Sequence, residues 1–312
     1  MFTRKIHLKG FRWFLSILII LLLCESAYGE IPVLETWEGS DLTVKYETPL
    51  KDIVPKVLKA YPRARTALRK KLGFDMSFKP VIVLIHTDRV FNRMAGGNSL
   101  VNAFAVSNIN HIYVDYSKME RTPFDLELTL THELCHLLLH EYVKPYRLPR
   151  WLNEGVSQWV SGGISDIINY DGKKLLKEAV LSGNYIPLDD MSRDFPVGAN
   201  LFKLSYEESK SLVEYIDGEY GVDKLLLILE NLRKGDNIDE AVFNSLPVDL
   251  SMLEREWHMS LKRKYTWYSY FADNLIWILF SGAALLTVIG YIRLRIRMKT
   301  HFKDEEDEEE YP

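Results

Sequence analysis

The sequence is poor in cysteine and has no strong excess of either charge, and both features exclude classes of protein. Only Cys24 and Cys135 occur in 312 residues. Because Cys24 lies in an N-terminal apolar run, no disulfide framework is expected in a mature chain. The 39 basic and 43 acidic side chains give a net charge of −4, which does not favour a nucleic-acid partner. The 47% of hydrophobic residues indicate a globular protein, not a disordered or fibrous one.

Two long apolar runs lie near the ends of the chain. The first, WFLSILIILLLC, follows the basic stretch MFTRKIHLKGFR and precedes the small residues Ala27 and Gly29. This pattern predicts a secretory signal peptide over residues 1–29, cleaved before Glu30. The alternative is an uncleaved signal anchor, although the run is short for a membrane-spanning helix.

The second run, NLIWILFSGAALLTVIGYI, carries no charge over residues 274–292 and is long enough to cross a bilayer as a helix. The alternative is a buried core helix. Because basic residues follow this run directly, the positive-inside rule predicts a cytoplasmic C-terminus. We therefore expect a single-pass protein of the cell (inner) membrane, with residues 30–273 in the periplasm or exterior. The acidic residues 304–310 are expected to form a solvated tail without regular structure.

Hydrophobic periodicity divides the intervening chain into early strands and later helices. Strands are expected at 42–47 and 79–86 and, as a hairpin, at 102–108 and 111–116. Helices are expected at 51–73, 124–142 and 152–162 and, in three or four segments, at 204–266. Strands followed by helices indicate an α+β fold.

The residues that carry chemistry are concentrated in HELCH at 132–136, an H-E-x-x-H motif inside the helix expected at 124–142. The i, i+4 spacing places the two imidazoles on one helical face, about one turn apart, where they can share a Zn²⁺ ion. Glu133 can reach a zinc-bound water without being a ligand and act as its general base. Cys135 and His140 are expected to be a buried thiol and an ordinary histidine, not ligands.

A second motif, WLNEG at 151–155, begins the next helix and offers a third ligand. A catalytic zinc usually takes three protein ligands and keeps a fourth position open for water. Glu154 would complete a His₂Glu set with His132 and His136. The alternative is a solvated helix in which Glu154 only favours the N-terminal dipole. Gln158, one turn later, is a candidate for orienting an imidazole.

HELCH followed by WLNEG resembles the gluzincin metallopeptidases, and more closely the peptidase MA-like family of membrane-associated or exported bacterial proteins. The resemblance covers roughly residues 80–265. It includes LSYEESKSLVEYIDGEYG at 204–221, which is similar to the tyrosine-containing helix of the family. It implies a small N-terminal mixed sheet followed by a thermolysin-like pair of helices that carry the zinc site.

The resemblance also implies the roles of the site residues. His132, His136 and Glu154 would be the ligands of one zinc ion per chain, and Glu133 would be the general base. In related gluzincins a tyrosine or histidine from a later helix stabilises the oxyanion, and Tyr206 is the residue that matches it. The alternative for Tyr206 is a side chain that caps or packs the helix.

These observations predict a membrane-anchored zinc metallopeptidase that acts on a peptide or protein substrate outside the cytoplasm. The alternatives are a non-catalytic interaction module on the same fold and hydrolysis of a non-peptide bond. An intramembrane protease is not favoured, because the motif helix carries several acidic residues. NAFAV at 102–106 is either an ordinary sheet strand or one that also pairs with an extended substrate.

The sequence thus divides into five expected segments. They are a signal peptide at 1–29, an N-terminal strand and helix region at 30–78, a metallopeptidase domain at 79–268, a transmembrane helix at 274–292 that contacts the lipid bilayer, and a cytoplasmic basic stretch with an acidic tail at 293–312.

Overall fold

The computed structural model describes residues 33–96, 101–119, 125–163, 172–265 and 274–308. The signal segment predicted at 1–29 lies outside these residues, as do the last four residues of the chain. The chain divides into two compact units. The first contains the chain up to Leu175 together with Ile186–Leu250, and the second contains Leu176–Tyr185 together with the chain from Ser251 onward.

The first unit begins with a five-stranded mixed sheet. Its strands are β1 Leu34–Glu38, β2 Thr43–Glu47, β3 Val81–Ile85, β4 Ala103–Val106 and β5 His111–Asp115. Their order across the sheet is β1-β2-β3-β5-β4, with parallel pairs in the centre and antiparallel pairs at both edges. The predicted hairpin is confirmed as β4 and β5, joined through Asn110 at a φ of 54°. β1 is not among the predicted strands; none of its five side chains is fully buried, so it carries little hydrophobic signal.

The centre of the sheet is β3, where four consecutive residues of VIVLI are buried. A continuous buried run shows that both faces of the strand are covered, which is typical of parallel neighbours. Val83 and Ile85 pack with Phe91 in one core cluster. The buried strand predicted from the β-branched run at 79–86 is therefore confirmed.

Helices make up most of the remaining chain. In chain order they are α1 Val54–Leu72, α2 Asp88–Met94, α3 Tyr116–Met119, α4 Leu126–Val143, α5 Arg150–Ser161, α6 Gly172–Ser182, α7 Ala199–Tyr220, α8 Val222–Lys234, α9 Ile238–Ser245, α10 Leu250–Lys264 and α11 Leu275–Glu308. The segment predicted as helical at 204–266 thus contains four helices, α7 to α10. All five strands of the described residues end by Asp115, and most of the helices follow them, in agreement with the predicted α+β fold.

Helix α4 is the central helix of the first unit and packs against α1, α5, α8 and β4. It begins at the cap Asp125, whose Oδ1 accepts a hydrogen bond of 2.8 Å from the amide of Glu127. It ends at Val143, two residues before Pro145, because the residue preceding a proline disfavours helical geometry. Residues on every side of α4 are buried, as in a helix that lies within a core.

Helix α5 crosses α7 at very close range, and a glycine permits it. A Cβ atom added to Gly155 would lie 2.5 Å from the carbonyl oxygen of Ser209 and 2.7 Å from Cγ2 of Val213. The helix ends as predicted at Gly162, which has a φ of 83° in the left-handed region. The two backbones therefore approach as closely as the absence of a side chain allows.

In the second unit, the ring of Tyr185 stacks on that of His258 with centroids 3.7 Å apart, and Trp257 is fully buried. The apolar part of α11 is Leu275–Arg297. Its most apolar stretch has a mean hydropathy of 2.2, and none of that stretch is buried. By length and composition this helix is able to cross a membrane. The helix continues to Glu308, so the expectation of an unstructured acidic tail at 304–310 is wrong for most of that stretch. Lysine and glutamate are good helix formers, which accounts for the continuation.

We expect Gly155→Ala to destabilise the first unit by about 1–3 kcal/mol, because the added methyl group forces α5 and α7 apart. Gly218→Ala is the matched control, since Gly218 lies on α7 with no atom within 4 Å of its added Cβ. That change should be neutral or stabilising by about 0.5–1 kcal/mol. Urea unfolding followed by tryptophan fluorescence measures both; equal stability of the two variants would contradict the close crossing.

Candidate metal centre

Helix α4 presents two imidazoles toward one point. His132 and His136 lie one turn apart, with ring centroids separated by 4.6 Å and ring planes at 86°. Their Nε2 atoms are only 3.0 Å apart. The i, i+4 spacing of the motif therefore gives the convergence predicted from the sequence.

A carboxylate from α5 completes the cluster. Oε2 of Glu154 lies 3.6 Å from Nε2 of His132 and 3.5 Å from Nε2 of His136. Among the described residues, these three side chains form the group of potential metal ligands. The predicted set of His132, His136 and Glu154 is thus brought together.

The triangle of ligand atoms fits a zinc ion. Ligands of a tetrahedral zinc, with bonds of about 2.0–2.1 Å, stand roughly 3.3 Å from one another. Glu154 Oε2 is buried and, within the described part of the chain, has no hydrogen-bond partner. A buried carboxylate oxygen without a donor, facing two imidazole nitrogens, is what a cation site requires.

Two neighbours of Glu154 orient one of the imidazoles. Nδ1 of His136 lies 3.1 Å from Oδ1 of Asn153 and 3.2 Å from Oγ of Ser157. A proton held on Nδ1 by these oxygens leaves the lone pair of Nε2 free for a metal. The sequence analysis missed both residues. The sequence feature that could have identified them is their i, i+4 spacing on α5, which places Asn153 and Ser157 on one face of the helix that carries Glu154.

The prediction that Gln158 orients an imidazole is wrong. Its Nε2 instead donates a hydrogen bond of 2.9 Å to the backbone carbonyl of Tyr206. Gln158 therefore ties α5 to α7, because its side chain points toward the helix that crosses α5 and not toward α4. Cys135 is a free, buried thiol outside the ligand group, and burial raises its pKa to about 12.

The three groups of the cluster shift one another's protonation. Burial acts to raise the pKa of Glu154, but the adjacent imidazoles outweigh it and hold that pKa well below its usual range. Burial likewise acts to lower the pKa of His136, but the Glu154 carboxylate outweighs it and raises that pKa to about 9. A metal ion binds the deprotonated imidazole, so metal binding at this cluster would compete with protonation of His136.

Glu133 lies beside the ligand cluster without belonging to it. Its side chain is on the wall of the same cavity, and the residue is only 5% exposed. Burial raises the pKa of Glu133, and the charges of the two neighbouring imidazoles only partly offset the effect. The backbone of Ala105 on β4 lies close enough to this carboxyl group to act slightly against that rise in pKa. The geometry is compatible with the predicted general base.

Tyr206 reaches the cluster from α7. Its hydroxyl donates a hydrogen bond of 3.2 Å to Oε1 of Glu154, and its ring packs against Phe202 and Phe195. Burial raises the pKa of Tyr206 well above its usual value of 10, and the charge of Glu154 adds to the effect. The phenol thus remains a hydrogen-bond donor at the site. Its predicted part in oxyanion stabilisation stays a prediction.

A cavity of about 570 Å³ opens over the cluster. Both imidazoles, Glu133, Glu154 and Tyr206 line it, together with residues 103–105 of the edge strand β4. Arg147, Arg150 and Arg193 line the same cavity, and the sequence analysis did not single out any of them. The cluster is therefore accessible to a substrate and not sealed in the core.

A model of the Peptidase MA superfamily matches residues 88–263, more than half of the chain. This match confirms the family resemblance predicted from HELCH and WLNEG. Among curated proteins, none matches the sequence.

Two solved structures are similar to the chain at low sequence identity. One is a mutant form of an M1 zinc metallopeptidase from Deinococcus radiodurans, with 14% identity and a TM-score of 0.42; the match covers 74% of this chain and 51% of that protein. The other is leukotriene A4 hydrolase from Saccharomyces cerevisiae, with 13% identity and a TM-score of 0.41; it covers 71% of this chain and 37% of that protein. This chain thus spans about half or less of their lengths.

We expect Asn153→Ala to weaken zinc binding about 10–100-fold, because the acceptor that fixes the His136 ring is lost. Asn153→Asp keeps an acceptor at that place and should retain most of the affinity. Competition with a chromogenic chelator measures both variants against the wild type. Unchanged affinity in Asn153→Ala would show that Asn153 does not orient the ligand.

Proposed function

The chain belongs to the Peptidase MA superfamily, and from this membership we propose that it is a zinc-dependent metallopeptidase that hydrolyses peptide bonds. The observation that carries the proposal is the triangle of imidazole and carboxylate atoms at zinc-ligand spacing. The buried carboxyl of Glu133 stands beside that triangle, and both face one open cavity. A site with three protein ligands and an open side is typical of catalytic zinc and not of structural zinc.

His132, His136 and Glu154 would hold one zinc ion per chain. When bound there, the ion supplies a water of lowered pKa and polarises the carbonyl of the peptide. Asn153 and Ser157 hold the imidazole of His136 in one orientation, so its Nε2 stays directed at the position of the metal.

Glu133 moves the proton. Its carboxylate takes a proton from the attacking water and later delivers it to the leaving amine. Because burial raises the pKa of Glu133, its carboxyl is suited to hold the proton between these two events. A fully solvated glutamate, with a pKa of about 4.3, would release that proton to solvent instead.

Tyr206 would stabilise the negative charge that develops on the carbonyl oxygen. Its hydroxyl already donates to Glu154 Oε1 at 3.2 Å, so it stands at the edge of the ligand cluster. Since the pKa of this phenol is raised well above 10, it keeps the proton that such a hydrogen bond needs.

The edge strand β4 supports a peptide as the substrate. It pairs only with β5 within the described sheet, and residues 103–105 line the cavity beside Glu133. The free edge of a strand offers backbone donors and acceptors to an extended chain, which would add to the sheet as a further strand. This arrangement would hold the peptide carbonyl against the ligand cluster.

We further propose that α11 anchors the protein in a membrane. Its segment Leu275–Arg297 has the required length and hydropathy. Basic residues at its C-terminal end favour a cytoplasmic C-terminus, and the signal segment at 1–29 favours export of the residues between the two runs. The catalytic site would then act in the periplasm or another compartment outside the cytoplasm.

We expect Glu133→Gln to lower peptidase activity by about 10²–10⁴-fold, because the group that moves the proton is removed. Zinc content should stay near one ion per chain, since Glu133 is not a ligand. Glu127→Gln is the matched control on the same helix: Glu127 forms only a partly exposed ion pair with Arg63, and its loss should leave activity unchanged.

The measurement is cleavage of a broad peptide mixture by the zinc-loaded full chain, together with metal analysis. No zinc after loading, or equal activity in the wild type and Glu133→Gln, would overturn the proposal. Biological function that survives Glu133→Gln would instead indicate a non-catalytic interaction module on a metallopeptidase fold.

We expect a chain that stops after residue 273 to be released from membranes by an alkaline carbonate wash, while the full chain is retained. The reason is that the loss of α11 removes the apolar surface that a bilayer would cover. Retention of the shortened chain would assign the anchor to the N-terminal apolar run instead.

A further inference from the structure

Three arginines line the cavity, and two of them, Arg147 and Arg193, are exposed to solvent and so belong to its open side, the mouth. Arg147 precedes α5, Arg150 begins it, and Arg193 lies in the segment before α7; all three line the cavity. The amide of Arg150 donates 2.9 Å to the carbonyl of Ser192, the residue that precedes Arg193. This hydrogen bond holds the two segments side by side, so arginines distant in sequence line the same cavity.

Arg150 is already engaged with its own surroundings. Its guanidinium lies 3.3 Å from Oδ1 of Asp194 and 4.7 Å from the centroid of the Phe195 ring. Its Nε is 3.8 Å from Oε1 of Glu154. Arg150 therefore helps to hold the ligand cluster and is not free to bind a substrate group.

Arg147 and Arg193 differ from Arg150 in their exposure and in their ion pairing. Both are exposed, and neither forms an ion pair with a carboxylate of the described residues. The carboxylates that line the cavity in the described part of the chain are Glu133 and Glu154. Both of these are committed to the proposed zinc chemistry, so within the described residues no lining carboxylate is left to pair with the two arginines.

The net charge of the protein does not explain the positive charge at the mouth of the cavity. With the +3 of residues 1–29 and the −2 of residues 274–312 set apart from the total of −4, residues 30–273 carry −5. A pair of free guanidinium groups at the site of an otherwise acidic part of the chain attracts anions to that site. The planar fork of a guanidinium matches a carboxylate in particular, through two parallel hydrogen bonds.

Resting on the proposed peptidase function, we propose that Arg147 and Arg193 are specificity residues that select peptides with a carboxylate near the scissile bond. The carboxylate is supplied either by a free C-terminus or by an aspartate or glutamate side chain. Both sources present the same group to the arginines, and the choice of peptides tells them apart.

The test uses the zinc-loaded full chain in detergent and one apolar peptide core in three forms. The forms are an amidated neutral peptide, the same peptide with a free C-terminus, and amidated peptides with one glutamate at each position in turn. We expect kcat/KM for at least one carboxylate-bearing form to exceed that for the neutral peptide about tenfold. The preference should weaken as salt is added, because these charges are solvent-exposed.

In the double variant Arg147→Gln/Arg193→Gln, the ratio of kcat/KM for the carboxylate-bearing peptide to that for the neutral peptide should fall to about twofold or less. Lys59→Gln/Arg69→Gln is the matched control. It removes the same charge from exposed residues of α1 that do not line the cavity, and it should keep the full preference.

Binding provides an independent measurement. Labelled peptides are titrated into the zinc-loaded Glu133→Gln protein, with and without the two arginine substitutions, and followed by fluorescence anisotropy. Tighter binding of the carboxylate peptides that depends on Arg147 and Arg193 supports the inference, even if no peptide is cleaved and the proposed peptidase function fails.

Three results would overturn the inference. None of them decides the proposed peptidase function, which the Glu133→Gln experiment tests separately. The three results are equal kcat/KM for neutral and carboxylate peptides in the wild type, a preference that survives in the arginine double variant, and, where no peptide is cleaved, binding that is absent or independent of the carboxylate.

Discussion

The structure of the site depends on keeping one carboxylate charged in the interior. Glu154 is buried, and burial alone would favour its neutral form. Two imidazoles at 3.5 and 3.6 Å reverse that preference, and the Tyr206 hydroxyl satisfies the second carboxylate oxygen. A buried charge without such partners would destabilise the fold, so α4, α5 and α7 must all be in place before the cluster is stable.

The packing of α5 against its neighbours meets that requirement. Gly155, the residue after Glu154, lets α5 and α7 approach to backbone contact. Nε2 of Gln158 donates a hydrogen bond to the carbonyl of Tyr206, and Nε1 of Trp159 donates one of 3.1 Å to Asp217, so the next turn of α5 is also tied to α7. Lys71 of α1 donates to the carbonyl of Trp159 and lies 4.3 Å from its ring centroid. The carboxylate thus rests on a helix that is fixed from two sides.

Charge is distributed unevenly around the cavity, and the division matches the chemistry proposed for it. The acidic groups Glu133 and Glu154 are buried, where the low dielectric strengthens their effect on a metal and on a proton. The arginines stand nearer to solvent, where interactions are weaker and act on the choice and orientation of a substrate. In the proposed mechanism, the buried groups would carry out the hydrolysis and the exposed arginines would recognise the substrate.

Local spacing in the sequence was sufficient to predict much of the fold and the core of the site. The i, i+4 period of HELCH places two imidazoles on one face, and Pro145 and Gly162 mark the ends of the helices because their backbone preferences act locally. The alternation and β-branching of 79–86 and 102–116 likewise predicted a buried strand and a hairpin. β1 was missed because an exposed edge strand carries little hydrophobic pattern.

Which residues meet across helices was decided only by the tertiary structure. The sequence drew attention to Gln158 as a partner of an imidazole, whereas Asn153 and Ser157 hold that place. Nothing in the chain near Arg193 shows that it reaches the same cavity as Arg150. Periodicity determines the face of a helix on which a side chain lies, but the neighbour of that face depends on the packing of segments far apart in sequence. The sequence therefore determined the chemical groups of the site, and the packing of α4, α5 and α7 decided how they are oriented.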